Sequence, residues 1–403
     1  MHRYLRFSFF LAVLLLGDRS FSQDLQRIRH FGKNKGHLKM YIHEPAAIDS
    51  TKPAPMIVML HGCTQCAERA DKQSGWSKLA DQHGFYVLYP QQRFWNNPEK
   101  CFRWYKRKHT IKNHGENYSI LQMVDYMKGH YRIDSSRIFI TGLSAGAAMA
   151  VVMMADYPQV FNSGAIFAGG AYKPGRGTIN AALTMLGWQV KSAEKWGRIV
   201  RKQNPGYTGQ YPRMIIYQGQ ADWVVNRRNA IELMKQWTNL RGVSYSPTNS
   251  IDGYLQVQPI HRFSYGENED VIFYKIDHMN HALPVDPGTC KNQGGRRGIF
   301  SRDLNYNSTL WTIYDFGLAT PPMIEGETKV TSNQTVTFSV PSHAGSTYQW
   351  HYPEGCTRLT DNTSNAITLT WGARNGWIDV TETDANNCKT QYKTLFVTLN
   401  DPK

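Results

Sequence analysis

One serine in this chain, flanked by glycines, stands in the sequence context expected of a nucleophile in covalent catalysis. It is Ser144, in the stretch Gly-Leu-Ser-Ala-Gly at 142–146, between an apolar run at 137–141 and a helical pattern. A sharp strand-to-helix turn of this kind exposes a serine hydroxyl as a nucleophile, and the glycines avoid collisions with neighbouring backbone. The five-residue string alone is weak evidence, whereas its setting makes Ser144 a strong candidate nucleophile.

A nucleophilic serine needs a base, and the base needs an acid that fixes its tautomer. After a serine turn of this type, the acid and then the histidine follow along the chain. Asp222 follows the apolar run 214–218, and His281 follows the run 271–276. Both residues come just past a predicted strand, so three distant side chains can meet at one edge of a sheet. We predict a triad of Ser144, Asp222 and His281.

Two neighbouring residues compete for these roles. Asp277 could be the acid and His278 the base, while Asp222 could instead cap the helix that follows it. The two histidines within 277–281 also suggest a metal site, but no further ligands stand at zinc spacing around them. The triad therefore remains our prediction, with no metal and no cofactor.

Attack on an acyl carbonyl leaves negative charge on its oxygen, and each backbone N–H that faces this oxygen can contribute about 3–4 kcal/mol. Ala145, directly after the candidate nucleophile, should supply one donor. We assign the second to Cys63, in the loop after the apolar run 56–60. His61 in the same loop is interpreted as a structural brace rather than a second base.

Alternating strand and helix patterns place these residues. Short apolar runs between turn residues predict strands at 56–60, 85–89, 137–141, 165–168, 214–218 and 271–276. Helical patterns lie at 119–131, 145–157 and 229–240. This alternation indicates an α/β fold with a mostly parallel sheet covered on both faces, whose ligands bind beyond the carboxyl ends of the strands.

The character of the sequence changes near 317–328, where Pro321, Pro322 and Gly326 mark a linker. Beyond it, period-two alternation predicts a small all-β, immunoglobulin-like sandwich with strands at 335–340, 347–351, 366–371, 377–383 and 394–399. We predict two domains, 23–318 and 319–403. Either tryptophan of the second domain, Trp371 or Trp377, could form a binding face, but alternation places at least one in the core.

Residues 1–22 have the pattern of a secretion signal, in which Arg3 and Arg6 precede an apolar run at 7–16. We expect cleavage near Ser22 and Gln23. The run is about ten residues, short of the roughly 20 that span a bilayer, so we predict a secreted protein without a membrane span.

Secretion would place the six cysteines in an oxidising compartment, where disulfides form. Cys356 and Cys388 are the only cysteines after 319, and we predict that they pair. The remaining four allow three connectivities, among which Cys63 with Cys101 is favoured; these four are Cys63, Cys66, Cys101 and Cys290.

The chain carries a formal charge of +15. Residues 319–403 hold six basic and eight acidic side chains, so the positive balance belongs to the larger domain. Such a surface can attract nucleic acid, an acidic polysaccharide or an anionic surface. No run of five basic residues and no nucleic-acid motif accompanies it, so we predict a solvated basic surface and no nucleic-acid partner. Separately, we expect a monomer.

Several motifs, read together, resemble the polyhydroxybutyrate depolymerase esterase family; related feruloyl and acetylxylan esterases share much of the pattern. They lie at 60–65, 74–76, 89–92, 97–105, 115–116, 142–147 and 280–282, with the sequences LHGCTQ, SGW, YPQQ, NPEKCFRWY, GE, GLSAGA and NHA. The resemblance runs from about 31 to 316. It implies an α/β-hydrolase fold and ester cleavage through an acyl-enzyme, and it places Ser144, Asp222 and His281 in the triad.

Two departures and one further residue bear on the substrate. The family usually has Gly-Met-Gly before the catalytic histidine and His-Gly before the acid, whereas this chain has His-Met-Asn at 278–280 and Gln-Gly at 218–219. The resemblance also implies that Trp104 contacts the acyl chain, with ordinary core packing as the alternative. The tail resembles the PKD-like modules of bacterial secreted enzymes.

The expected partner is a polyester or an ester-decorated polysaccharide. We expect a polyhydroxyalkanoate depolymerase-type polyesterase first and a feruloyl or acetylxylan esterase second. A hypothesis from another class is a non-catalytic, polymer-binding surface protein that keeps the fold.

Overall fold

Ten strands form one sheet through the larger part of the chain. The computed structural model describes residues 25–46, 48–49, 51–175 and 177–400, so the secretion signal predicted at 1–22 lies outside the described residues. The strands of this sheet are β1 (Gln26–Ile28), β2 (Lys39–His43), β3 (Ala54–Leu60), β4 (Tyr86–Gln91), β5 (Ile133–Leu143), β6 (Ser163–Phe167), β7 (Arg213–Gly219), β8 (Asn249–Ile251), β9 (Ile260–Tyr265) and β10 (Val271–Ile276).

The strand order is β1-β2-β4-β3-β5-β6-β7-β10-β9-β8. The six central strands, β4 to β10 in that order, run parallel, while two antiparallel strands close each edge. The mostly parallel sheet predicted from the sequence is confirmed. The six predicted strands are its central strands, and the four edge strands were not predicted.

Eight α-helices lie in the described part of the chain. They are α1 (Ala67–Ser74), α2 (Trp76–His83), α3 (Gly115–His130), α4 (Ala145–Asp156), α5 (Gly177–Met185), α6 (Ala193–Arg201), α7 (Arg228–Arg241) and α8 (Ser308–Asp315). The three predicted helices correspond to α3, α4 and α7. None of the described helices is both long and apolar enough to cross a membrane.

Both faces of the sheet are buried, as β3 shows. Met56, Val58 and Leu60 point into the apolar cluster on one face, while Ile57 and Met59 point into the cluster on the other. Alternation of side chains along a strand produces this division, and a strand apolar on both faces needs cover on both. The carboxyl ends of these rigid central strands carry the candidate site residues.

A short parallel pair, β11 (Leu283–Val285) and β12 (Ser301–Asp303), follows the main sheet. The remaining strands form two sheets, β13-β20-β18-β15 with β19 beside β18, and β14-β17-β16. They are β13 (Lys329–Val330), β14 (Thr335–Ser339), β15 (Thr347–His351), β16 (Thr357–Arg358), β17 (Ala366–Thr370), β18 (Gly376–Thr383), β19 (Lys389–Gln391) and β20 (Leu395–Leu399). The predicted all-β sandwich is confirmed, and the boundary at 318/319, between α8 and β13, stays a prediction.

Trp371 occupies the core of the sandwich and is 1% exposed. Trp377 is half-buried against Phe396 and against the apolar cluster of the larger domain. Trp371 therefore presents no open face for a ligand, whereas Trp377 is partly covered by the larger domain.

The disulfides correct one prediction. Cys63 pairs with Cys101, as predicted, but Cys388 pairs with Cys290 of the larger domain, and Cys356 is a free, half-buried thiol, as is Cys66. Cys356 precedes β16 and Cys388 precedes β19, and these strands belong to opposite sheets of the sandwich. The prediction failed because it assumed that a disulfide stays within one domain.

We expect Trp371→Ala to lower the free energy of unfolding by about 3–5 kcal/mol, because it leaves a large cavity in the sandwich core. Leu359 is 54% exposed, and Leu359→Ala should change stability by less than about 0.5 kcal/mol. Urea titration of both variants measures the difference. Equal stability of the two variants would contradict this placement of Trp371.

Candidate active site

Ser144 lies on the turn between β5 and α4. Its backbone has φ 57° and ψ −121°, a conformation that residues other than glycine rarely adopt. The flanking glycines are required by close packing: a Cβ on Gly146 would lie 2.2 Å from the Leu60 carbonyl oxygen, and one on Gly142 would lie 2.6 Å from Gly146. The turn has the form expected of a nucleophile elbow.

Asp222 and His281 meet behind the serine. The Nδ1 atom of His281 lies 2.8 Å from Oδ2 of Asp222, and both residues are almost fully buried. The other carboxylate oxygen of Asp222 accepts the backbone N–H groups of Val224 and Val225 at 2.9 and 2.8 Å. These donors orient the carboxylate, whose other oxygen accepts the proton on Nδ1 of His281 and leaves Nε2 as the acceptor.

The competing residues are placed elsewhere. The Asp277 carboxylate lies 3.0 Å from Nε2 of His261 rather than beside His281. His278 is exposed, and its carbonyl oxygen accepts a hydrogen bond from Arg302. The structure therefore offers neither residue to the serine turn. No group of three or more potential metal-ligating side chains occurs in the described residues.

A largely apolar cavity of about 560 Å³ brings the candidate residues together. Its lining includes five of the six predicted site residues, namely Ser144, His281, Cys63, Ala145 and Trp104. The sixth, Asp222, lies behind His281. Within the described residues the Ser144 hydroxyl has no hydrogen-bond partner, and in substrate-free sites the contact between nucleophile and base is often loose.

In the stretch 62–65, every backbone N–H but one has a hydrogen-bond partner. The N–H of Gly62 donates to the Gln65 side chain at 2.7 Å, and the N–H of Thr64 donates to the Glu99 carbonyl at 2.6 Å. Only the N–H of Cys63 is without a partner among the described residues, and Cys63 lines the cavity. Ala145 is the first residue of α4, so its N–H has no partner within the helix.

His61 braces this loop. Its Nδ1 atom donates to the Gly62 carbonyl at 2.7 Å, and its Nε2 atom accepts the N–H of Gln92 at 3.0 Å. Burial lowers the pKa of His61 to about 4, so the ring is neutral near pH 7. Both nitrogens are occupied, which agrees with a structural role.

A buried carboxylate supports the far side of the cavity. Glu116 is 0% exposed and accepts the backbone N–H and the Nε–H of Arg103 at 2.7 and 2.6 Å. Gln92 donates to the same carboxylate at 2.8 Å. Burial raises the pKa of Glu116 and the Arg103 guanidinium opposes this shift. The network fixes the segment that carries Cys101 and Trp104.

Trp104 is half-buried, lines the cavity and also packs against the apolar core.

Sequence reasoning missed three supporting residues. Gln218 donates to Asp222 at 3.2 Å, Phe300 stands edge-on to the His281 ring at 6.1 Å between centroids, and Gln65 holds the loop at 61–65. Gln218 replaces the family's histidine, and the sequence analysis noted this departure without assigning Gln218 a role beside Asp222.

The strand order, the serine turn and the placement of Asp222 and His281 define an α/β-hydrolase fold. Residues 38–252 match the family model described as esterase PHB depolymerase, and residues 318–397 match the PKD-like domain. The chain belongs to the esterase PHB depolymerase family.

Relatives and a solved structure agree with this assignment. Poly(3-hydroxyalkanoate) depolymerase C of Paucimonas lemoignei is 39% identical over 312 residues, 77% of this chain and 74% of that protein. Feruloyl esterase B of Neurospora crassa is 33% identical over 284 residues, 68% of this chain and 94% of that protein. The structure of acetyl xylan esterase from Aspergillus awamori matches with a TM-score of 0.62 and 26% identity, covering 73% of this chain and 100% of that chain.

We expect Glu116→Ala to lower the free energy of unfolding by about 3–5 kcal/mol, because it leaves the partly buried Arg103 guanidinium unpaired. A matched control is Glu68→Ala, which breaks an exposed ion pair with Lys72 and should cost less than about 1 kcal/mol. Chemical unfolding of both variants measures the two losses. A Glu116 loss no larger than the Glu68 loss would show that the buried network does not stabilise the fold.

Proposed function

We propose that this protein is a secreted serine esterase that cleaves polyester through an acyl-enzyme, with polyhydroxyalkanoate as its first substrate. The observation that carries the proposal is the buried hydrogen bond between Asp222 and His281 beside the cavity that contains Ser144. Family membership supports the ester chemistry, and the relative at 39% identity is named as a poly(3-hydroxyalkanoate) depolymerase.

The acylation step follows from these positions. His281 Nε2 takes the proton of the Ser144 hydroxyl as the oxygen attacks the ester carbonyl carbon. Asp222 stabilises the imidazolium, and the N–H groups of Cys63 and Ala145 donate to the oxyanion. Collapse of the tetrahedral intermediate breaks the bond to the alcohol oxygen, which takes the proton back from His281. A water molecule then attacks the acyl-enzyme, with His281 again taking the proton. The carboxylic acid product leaves, and the Ser144 hydroxyl is restored.

The surroundings of the cavity favour an apolar polymer. Trp223 is 82% exposed and lines the cavity. Trp95, Ile179 and Ile299 are 91%, 79% and 81% exposed, and each stands within two residues of a lining position. Exposed apolar side chains near a site mark a surface for an apolar partner. A polyester surface fits these side chains better than a hydrated polysaccharide does.

We also propose that the protein is secreted. The two disulfides agree with an oxidising compartment. In this proposal residues 1–22 are the secretion signal and cleavage occurs near Gln23. Sequencing the N-terminus of the exported protein would test this cleavage position.

We expect Ser144→Ala to lower kcat for short p-nitrophenyl esters by about five to six orders of magnitude, because the nucleophile is lost. Ser135 is exposed and has no side-chain partner among the described residues, so Ser135→Ala is the matched control and should keep full activity. A serine-directed phosphonate should label the wild type and not Ser144→Ala. Retained turnover or labelling in Ser144→Ala would remove Ser144 from the mechanism, and an inert wild type would favour a polymer-binding protein.

We expect the purified protein to clear a polyhydroxybutyrate suspension faster than it releases ferulate or acetate from decorated xylan, because the cavity and its surroundings are apolar. Titration of released acid measures the first reaction, and chromatography of ferulate and acetate measures the second. Activity on xylan alone would replace the polyesterase with the feruloyl or acetylxylan esterase. Ser144→Ala serves as the blank in both assays.

A further inference from the structure

A loop of the larger domain joins it covalently to the C-terminal sandwich. We call residues 286–300 the bridging loop. Its Cys290 forms the disulfide with Cys388 of the sandwich. Two residues further on, the Asn292 side-chain amide donates to the Thr390 hydroxyl at 3.1 Å. The bridging loop and the β18–β19 region of the sandwich are therefore held together at adjacent positions.

A second group of contacts fixes the orientation of the sandwich. The Gln256 amide donates to the buried Asp379 carboxylate at 2.9 Å, and the Gln391 amide donates to the Leu255 carbonyl at 3.1 Å. Leu255 and Gln256 have φ values of 57° and 60°, which non-glycine residues adopt where surrounding contacts hold them. Trp377 packs against the core of the larger domain. The sandwich is thus docked and does not hang from a linker.

The bridging loop is linked through Gln73 of α1 to the loop at 61–65, which we call the oxyanion loop. The N–H of Arg296 donates to the Gln73 carbonyl at 3.2 Å, and the Gln73 side-chain oxygen accepts the amide of Gln65. Gln65 is 1% exposed, and its own oxygen accepts the N–H of Gly62 at 2.7 Å. This bond occupies the Gly62 donor and leaves the next N–H, that of Cys63, for the cavity.

The end of the bridging loop contacts the base. The carbonyl of Phe300 accepts the N–H of Leu283 at 3.0 Å, two residues after His281. The Phe300 ring stands perpendicular to the imidazole of His281 and lines the cavity. One loop therefore supports both the proposed oxyanion donor and the proposed base.

We infer that the C-terminal sandwich is a positioning element for the catalytic site, acting through the Cys290–Cys388 disulfide and the bridging loop. The inference rests on the proposed esterase function. A displacement of about 1 Å in a catalytic group can lower the rate on the order of 100-fold, so a loop loosened at one end slows the chemical step. Substrate binding depends on the cavity walls as a whole and changes less.

The first experiment removes the disulfide in the full-length protein as Cys290→Ser with Cys388→Ser. We expect kcat for a soluble p-nitrophenyl ester to fall about tenfold, with a smaller change in KM, because the groups that stabilise the transition state lose their alignment. The matched control is Cys356→Ser, which removes a free thiol of the same sandwich and should keep wild-type kcat. A double variant with lower Tm but unchanged kcat would make the sandwich a passive attachment and overturn the inference.

A second pair of variants tests the loop without touching the disulfide. Gln73→Leu removes the acceptor for the Gln65 amide and should lower kcat, whereas Gln73→Glu keeps an acceptor and should restore it. Equal kcat in both variants and the wild type would remove Gln73 from the route to the oxyanion loop.

Hydrogen exchange separates the inference from the proposed function. In the double cysteine variant we expect faster exchange of the backbone amides at 60–65 and 278–285. If the wild type hydrolyses no ester, the proposed function falls while faster exchange still supports positioning. Unchanged exchange at both stretches overturns the positioning role.

Discussion

The close approach between the first turn of α4 and the carboxyl end of β3 is the constraint on which the site depends. Gly146 packs directly on the carbonyl groups of Leu60 and His61, where any Cβ would collide. This contact places the serine turn beside the loop that carries Cys63. The buried parallel strands beneath hold the contact rigid, because side chains fill both faces of the sheet.

A second group of contacts brings His281, the proposed base, to that edge. β7 and β10 are neighbours in the sheet, so the segments after them carry Asp222 and His281 to one place. One oxygen of the Asp222 carboxylate accepts the backbone N–H groups of Val224 and Val225, and the other oxygen bonds the imidazole of His281. Much of the hydrogen bonding that supports the site comes from Glu116, Gln65 and Gln218, which do not line the cavity. The cavity itself stays largely apolar.

The sequence predicted the structure best at positions where the local geometry allows only one residue type. The apolar runs in the central strands predicted the parallel sheet. The glycines around Ser144 and the chain order of serine, acid and histidine predicted side chains that the structure brings to one site. The edge strands β1 and β8 have only three residues each and carry little pattern. Gln65 and Glu116 were missed because their partners are backbone groups and distant side chains, which no local pattern reveals.

The error over Cys356 has a physical lesson. Cysteine pairing depends on which surfaces meet after folding, and the docked position of the sandwich is a property of the tertiary structure. The sequence had suggested two independent domains, so a bond between them was not considered. The Cys63–Cys101 pair was easier to predict because both cysteines belong to loops of one domain.

The left-handed backbone of Ser144 has a thermodynamic consequence. Such a conformation costs of the order of 1–3 kcal/mol for a residue other than glycine. The chain therefore gives up some of its small margin of stability at the position where the proposed nucleophile presents its hydroxyl. Selection for heat resistance alone would favour glycine there, so directed evolution of a hardier protein has to screen for turnover at the same time.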